Sequence, residues 1–221
     1  MSSVKKEKFK AVIFDMDGVL IDSELIWFQK YHQLLALLAP SLSISVHKNL
    51  LGRSIEGIYD YLYDNYEGGL KIKNKRKFFK EYENFGISYI YNCTNLLFNA
   101  DQVLAELKKC IPLALASSSP WTWINQSLEL HNLQKYFKVV VSGQDLKKAK
   151  PNPDIYLKTA KELNCNPEDC LVIEDSVAGV EAGKNAKMQV LGLRNGFNHD
   201  QNLEKADKII NHLKEIIKVV C

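Results

Sequence analysis

The sequence predicts an α/β protein, a doubly wound parallel sheet with a helical segment inserted after the first strand. Three observations predict it. Short apolar runs recur at residues 10–14, 112–116, 139–141, 171–173 and 190–193. They are continuous rather than alternating, as strands covered on both faces are. Helical patterns at 101–109, 120–131, 154–163 and 176–186 separate most of them. Strand and helix in alternation give a parallel sheet with right-handed crossovers. The stretch 23–95 breaks the rhythm, with helical patterns and no convincing strand.

Each element has its own signal. The first strand, 10–14, runs straight into Asp15. The insert carries Leu25, Phe28, Leu34, Leu35 and Leu38 at mostly helical spacing, then Ile58, Tyr61 and Leu62. That divides the chain into a core of residues 1–22 and 96–221 and a helical insert of 23–95. The second strand, 112–116, leads into Ser117-Ser118-Ser119-Pro120. Pro120 suits the first helical position and Ser119 the N-cap. A short edge strand is expected at 206–210 and a closing helix at 211–218. In the fourth crossover, Gly179 and Gly183 permit close packing of the helix that starts at Ser176.

Composition excludes several function classes. The 221 residues are 46% hydrophobic and 25% charged, an ordinary globular profile. Lys and Arg number 29 against 26 Asp and Glu, for a net charge of +3. That balance gives no electrostatic case for nucleic acid. The basic run at 71–77 reads as a solvated helix or loop face, since no stacking aromatics accompany it. The longest apolar runs, such as 34–39, are far short of the roughly 20 residues a spanning helix needs. The apolar stretch 11–14 is cut off by Asp15, too short for a signal peptide. A cytoplasmic protein without membrane contact is expected. Cys93, Cys110, Cys165, Cys170 and Cys221 are odd in number and lack CxxC spacing, so free thiols are expected. The five histidines are scattered, which argues against a zinc site.

The chemistry collects at the strand ends. Asp15 and Asp17 leave the first strand at i and i+2, followed by Gly18. Ligands of an open parallel sheet bind beyond the carboxyl ends of its strands. Two acids so close repel unless a cation or shared proton intervenes, and a hard ion such as Mg²⁺ is the usual solution. Taken alone, the pair fits an Asp-Gly turn equally well. The other ends tip the balance. Ser117 and Ser118 sit before a helix start, where free N–H groups can take an anion. Capping explains Ser119 but not Ser117. Lys150 is followed by Pro151, which restricts it to extended geometry. Glu174 and Asp175 leave a further apolar strand just before Ser176. Two acidic ends, a serine-rich end and a proline-fixed lysine converge on one rim.

These residues carry a family resemblance. Asp15-Met16-Asp17-Gly18-Val19, Ser117, Lys150-Pro151 and Glu174-Asp175 resemble, in order and in strand context, the four motifs of the haloacid dehalogenase superfamily. The match lies on its phosphatase and phosphomutase branch and covers residues 8–22 and 96–221. The insert resembles that family's cap domain, a lid that excludes water and sets substrate choice. Asp22-Ser23-Glu24 and Gly52-Arg53 resemble the β-phosphoglucomutase-like group.

The resemblance implies a mechanism. Asp15 is the nucleophile that forms an aspartyl-phosphate, and Asp17 the acid and base. Mg²⁺ is held by the Asp15 carboxylate, the Asp17 carbonyl and Asp175, with Glu174 tuning its water shell. Lys150 and Ser117 bind the transferring oxygens, with N–H groups near Asp17, Gly18 and Ser118 completing the cradle. Dehalogenases of the superfamily lack the second acid, so Asp17 favours phosphoryl transfer. Mutases carry a histidine twelve residues after the nucleophile, where this chain has Trp27. That favours hydrolysis of small phosphorylated metabolites, above all sugar phosphates. A mutase on the same scaffold and a catalytically idle binding partner are the alternatives. Trp27 either stacks on a sugar face or anchors the cap, and Arg53 either reaches substrate or faces solvent. The family often has Pro-Gly at the cap exit, where this chain has Phe98-Asn99-Ala100. A monomer or weak dimer is expected.

Overall fold

The computed structural model describes residues 9–38, 55–65 and 70–221. Six parallel strands form one sheet in the order β3-β2-β1-β4-β5-β6. They are β1 Ala11–Phe14, β2 Leu113–Ser117, β3 Phe137–Ser142, β4 Cys170–Glu174, β5 Gln189–Leu193 and β6 Lys208–Ile210. The helices are α1 Ser23–Leu38, α2 Ile55–Asn65, α3 Lys75–Phe85, α4 Ala100–Cys110, α5 Trp121–Leu130, α6 Asp154–Leu163, α7 Val177–Asn185 and α8 Ile217–Val220. The predicted doubly wound sheet is present. By contact the chain divides into two compact units, residues 1–24 with 94–221 and residues 25–93.

In the first unit the central strands are buried along their whole length, as their continuous apolar runs require. β3 departs from that expectation. It is an edge strand, and Val139 and Val140 are only partly covered. The core beneath the sheet joins Ile13, Val172 and Val190 to Ile155, Tyr156 and Leu163 of α6 and Val180 and Ala182 of α7. Strand order reverses beside β1: β2 and β3 lie to one side, β4 to β6 to the other. A crevice opens at such a reversal, beyond the carboxyl ends of the strands. β1 and β4 pair in register from Ala11 with Cys170 to Phe14 with Ile173. The next N–H, of Asp15, donates to the Ile173 carbonyl at 3.0 Å. The ladder therefore runs to the last residue before the crevice, and the Asp15 carboxylate leaves a fixed backbone.

Several sequence expectations are corrected. Pro120, not Ser119, occupies the N-cap of α5 and has no polar side chain to cap it; the Gln144 amide oxygen accepts the Trp121 N–H at 3.0 Å. The Ser119 hydroxyl donates to Asp17 instead. The edge strand is confined to Lys208–Ile210, because Asp207 turns its carboxylate onto Lys184 and the Val190 N–H. The closing helix is a 3₁₀ turn, Leu213–Ile216, followed by the single turn of α8. α8 packs along α4, and Cys221 is disulfide-bonded to Cys110 at the end of α4. The expectation of free thiols holds for Cys93, Cys165 and Cys170 only.

Asp22 and Asn95 join the two chain crossings in the first unit. The Asn95 N–H and Nδ2 donate to the Asp22 carboxylate at 2.7 and 3.0 Å, and the Asp22 N–H returns to the Asn95 carbonyl at 3.1 Å. Phe98 and Asn99 follow with φ of 51° and 55°. The chain takes the left-handed conformation here in two residues that are not glycine, which Asn tolerates better than Phe.

In the second unit the described residues are helical and include no strand. Ile58, Tyr59, Leu62, Phe78, Phe85, Ile90 and Tyr91 are among its buried residues along α2, α3 and the π turn Gly86–Tyr91. Asn74 caps α3 by accepting the Lys77 N–H at 2.9 Å, and Lys75 pairs with Asp60 at 2.7 Å. The basic run at 71–77 is mostly solvent-exposed. Among the described residues no helix is long and apolar enough to cross a membrane.

Candidate active site

Three strand ends and one loop meet at the crevice. β1 delivers Asp15, Asp17 and Gly18; β2 delivers Ser117; β4 delivers Glu174 and Asp175; the loop before α6 delivers Lys150. Carboxylate oxygens of Asp15, Glu174 and Asp175 lie within 4.8 Å of one another, and all three residues are buried. The Lys150 ammonium bridges two of them, donating to Asp15 Oδ1 and Glu174 Oε1 at 2.6 Å each.

Glu174 is the most firmly held. Its Oε1 also accepts the Tyr156 hydroxyl at 2.7 Å. Its Oε2 accepts the Asp175 and Ser176 N–H groups at 3.0 and 3.2 Å and the Ser176 hydroxyl at 3.0 Å. The Ser176 oxygen in turn caps α7 by accepting the Gly179 N–H at 3.0 Å. Gly179 leaves room for this carboxylate. A Cβ there would lie 1.8 Å from Glu174 Oε1. Gly179→Ala is therefore expected to lower stability by about 1–3 kcal/mol and to lower turnover with it. Thermal melts and kinetics on the one variant check this, and an unchanged Tm would contradict the packing.

Asp17 faces another set of partners. Its carboxylate accepts the hydroxyls of Ser119 at 2.8 Å, Ser117 at 3.3 Å and the fully buried Ser23. Ser117 also accepts the Ser119 N–H at 3.0 Å. Gly18 has φ +73°, and a Cβ on it would lie 2.1 Å from Asp175 Oδ2.

Charge sets the electrostatics. Burial would pull the Lys150 ammonium down, but Asp15 and Glu174 outweigh it and hold its pKa well above the ordinary value. Burial would push Glu174 up, but Lys150 and the hydrogen bonds from Lys150, Tyr156 and Ser176 hold it below the usual range. Asp15 is pushed up to about 8 by burial, with Glu174 and Asp17 adding repulsion that Lys150 only partly offsets. Asp175 is pushed well up by burial, then by Glu24, Glu174 and Asp15. With all three buried carboxylates ionised, one ammonium would leave two negative charges uncompensated, and the raised pKa values of Asp15 and Asp175 are the response to that deficit. Oxygen donors only, with a deficit of two charges, suit a hard divalent cation such as Mg²⁺.

The expected residues separate cleanly. Asp15, Asp17, Gly18, Ser117, Lys150, Glu174 and Asp175 come together. Ser118 is exposed beside Ser117. Trp27 stacks on Tyr82 at 5.4 Å and lies 6.2 Å from Phe85, ring to ring, inside the helical insert. Arg53 and Gly52 lie outside the described residues. Sequence reasoning missed Tyr156, Ser23, Ser119 as a partner of Asp17, and the pair Asn195 and Asn198. Asn195-Gly196 follows β5 at the same sheet edge, and that position was the available signal. Tyr156 gave none, since a tyrosine in a helix's first turn is ordinary core.

Comparisons with known proteins give the family of the chain. The profile of the haloacid dehalogenase-like hydrolases matches residues 12–193. A phosphorylated carbohydrates phosphatase of Thermotoga maritima is 33% identical over 94% of this chain and 100% of its own. Hexitol phosphatase B of Escherichia coli K12 is 31% identical over 81% of each chain. The crystal structure of a β-phosphoglucomutase from Clostridium difficile superposes with a TM-score of 0.74 at 26% identity, covering 94% of this chain and 93% of that one. The chain therefore belongs to the haloacid dehalogenase-like hydrolase family and is an enzyme of the phosphoric monoester hydrolase type, as the named phosphatases among its relatives are.

Proposed function

We propose that this protein is a Mg²⁺-dependent phosphatase of small phosphorylated metabolites, most of all sugar or polyol phosphates, acting through an aspartyl-phosphate. The observation that carries this is the buried cluster of Asp15, Glu174 and Asp175 around Lys150, with Asp17 held apart on serine hydroxyls. The names of the relatives support the substrate class.

Asp15 attacks phosphorus, and the bond to the leaving oxygen breaks. Asp17 gives that oxygen its proton, then takes one from the water that displaces Asp15 and releases inorganic phosphate. The hydroxyls of Ser119 and Ser23 aim the Asp17 carboxylate, and the single Ser117 proton, directed at Asp17 at 3.3 Å in this structure, turns to a phosphoryl oxygen when substrate binds. Lys150 and Ser117 place positive charge and a donor where phosphoryl oxygens gain charge. The Gly18 and Ser118 backbone extends the cradle. Asp15, Asp175 and the Asp17 carbonyl, with Glu174 beside them, would hold Mg²⁺, which would supply the missing positive charge. Substrate choice is assigned to the insert at 23–95, acting as the family's cap, with Trp27 and Arg53 as its candidates.

The test is phosphate release from a panel of phosphorylated sugars, polyols and nucleotides, with and without Mg²⁺. Release that needs Mg²⁺ and favours a hexose or polyol phosphate is the expected result. No release from folded, Mg²⁺-loaded protein would sink the reading for those substrates. The likeness to a β-phosphoglucomutase makes the mutase the second reading. An isomerised sugar phosphate, with little free phosphate, would select it.

The charge deficit also predicts a pH dependence. Asp15 and Asp175 have raised pKa values in the folded state, so the fold binds protons the unfolded chain has released. Metal-free stability is then present at acid pH and falls as pH climbs from about 4 towards about 8. Mg²⁺ bound by the same carboxylates would displace those protons. Its gain in Tm should be larger at pH 8 than at pH 5, and an equal gain would count against the carboxylate cluster as its site.

A further inference from the structure

The loop after β5 brings two asparagines against the acidic cluster. Asn195 and Asn198 are 6% and 3% exposed. Buried amides need partners for every donor, and these find them in the site. Asn195 Nδ2 donates to Asp175 Oδ2 at 2.9 Å and to the Gly18 carbonyl at 2.8 Å. Its Oδ1 accepts the N–H groups of Phe197 and Asn198 at 2.9 and 3.0 Å. That fixes which way the amide faces, because the reverse would set its oxygen against a carboxylate and a carbonyl. Asn198 braces the loop. Its Nδ2 donates to the Asp175 and Leu193 carbonyls at 2.7 and 2.8 Å, and its Oδ1 accepts the Asn195 N–H at 3.2 Å. Gly18 closes the contact from the other side. A Cβ on it would meet both Asp175 Oδ2 and, at 3.0 Å, Asn195 Nδ2.

We propose that Asn195 is a positioning residue for the cation: it ties one oxygen of Asp175 to the Gly18 carbonyl, so the acid from β4 and the loop after β1 are held as one unit. This rests on the proposed function, since it concerns the same Mg²⁺ site. Asp175 is not one of the two acids that the Lys150 bridge engages, which are Asp15 and Glu174. Asn195 is the side chain that orients it. Partners one step behind a metal ligand typically change metal affinity by about 10- to 100-fold when removed.

The test is Mg²⁺ titration of wild type, Asn195→Ala and Asn195→Ser by isothermal calorimetry, alongside the Mg²⁺ dependence of phosphate release. Serine keeps one donor and supplies the measurement if the alanine variant does not fold. The expected result is a Kd for Mg²⁺ raised about 10- to 100-fold in Ala and less in Ser. Turnover should return at high Mg²⁺ with the substrate KM unchanged, which a merely structural loss would not allow. An unchanged Mg²⁺ Kd in either folded variant overturns the proposal. Wild type that binds no Mg²⁺ overturns the functional reading beneath it, so the two failures are distinguishable.

Discussion

Asp15→Asn removes phosphate release and, without metal, makes the protein more stable at pH 9. The amide keeps the shape of the carboxylate and still offers an oxygen to the Lys150 ammonium, which stands 2.6 Å from Asp15 Oδ1. It is no nucleophile. Loss of a covalent nucleophile costs on the order of 10⁴- to 10⁶-fold in kcat. Stability moves the other way because the wild-type carboxylate is buried beside Glu174 and Asp17, with its pKa pushed up to about 8. Above that pH it carries a charge the fold opposes, and asparagine removes it. Such opposition between activity and stability is expected where a site stores like charges. Steady-state kinetics and metal-free melts check both halves. A kcat within tenfold of wild type, or a Tm several degrees lower at pH 9, contradicts the assignment.

Lys150→Met has the largest expected effect on stability. The side chain is 8% exposed and forms the ion pairs to Asp15 and Glu174, whose side chains are 10% and 1% exposed. Removing one partner of a buried pair leaves uncompensated charge and costs about 3–5 kcal/mol. Turnover falls as well, by about 10²- to 10³-fold, the typical loss when a group that stabilises transition-state charge is removed. The pH dependence has a definite sign. Without the ammonium both carboxylates hold their protons to higher pH, so the variant is closest to wild type at acid pH and loses ground as pH rises. Melts at pH 5 and pH 8 should show a larger deficit at pH 8. An equal deficit would mean that packing of the lysine stem, not its charge, supports the fold.

The strand ends were legible because their chemistry is local. An apolar run followed by acids, by serines or by Lys-Pro can be read within a few residues, and the sheet then brings Asp15, Ser117, Lys150, Glu174 and Asp175 together by topology. What could not be read depends on pairings across the chain. Ser119 looked like a cap because Pro120 followed it, but its hydroxyl reaches Asp17, 102 residues away in sequence. Tyr156 and Asn195 act on Glu174 and Asp175 from separate elements, and neither residue type signals this alone. Cys110 and Cys221 are 111 residues apart, so their pairing waited on where α8 packs. β3 was read as fully covered because its run Val139-Val140-Val141 is apolar, while its place at the edge follows from strand order alone.

The central claim is that Asp15 takes the phosphoryl group, and trapping it is the direct test. Enzyme mixed with Mg²⁺ and a hydrolysed sugar phosphate is quenched in acid within a single turnover. Borohydride reduction then converts an acyl phosphate into homoserine, which peptide mass spectrometry locates. Homoserine at position 15 is expected only when both Mg²⁺ and substrate are present. Phosphate release with Asp15 unmodified, or modification of any other residue, would contradict it.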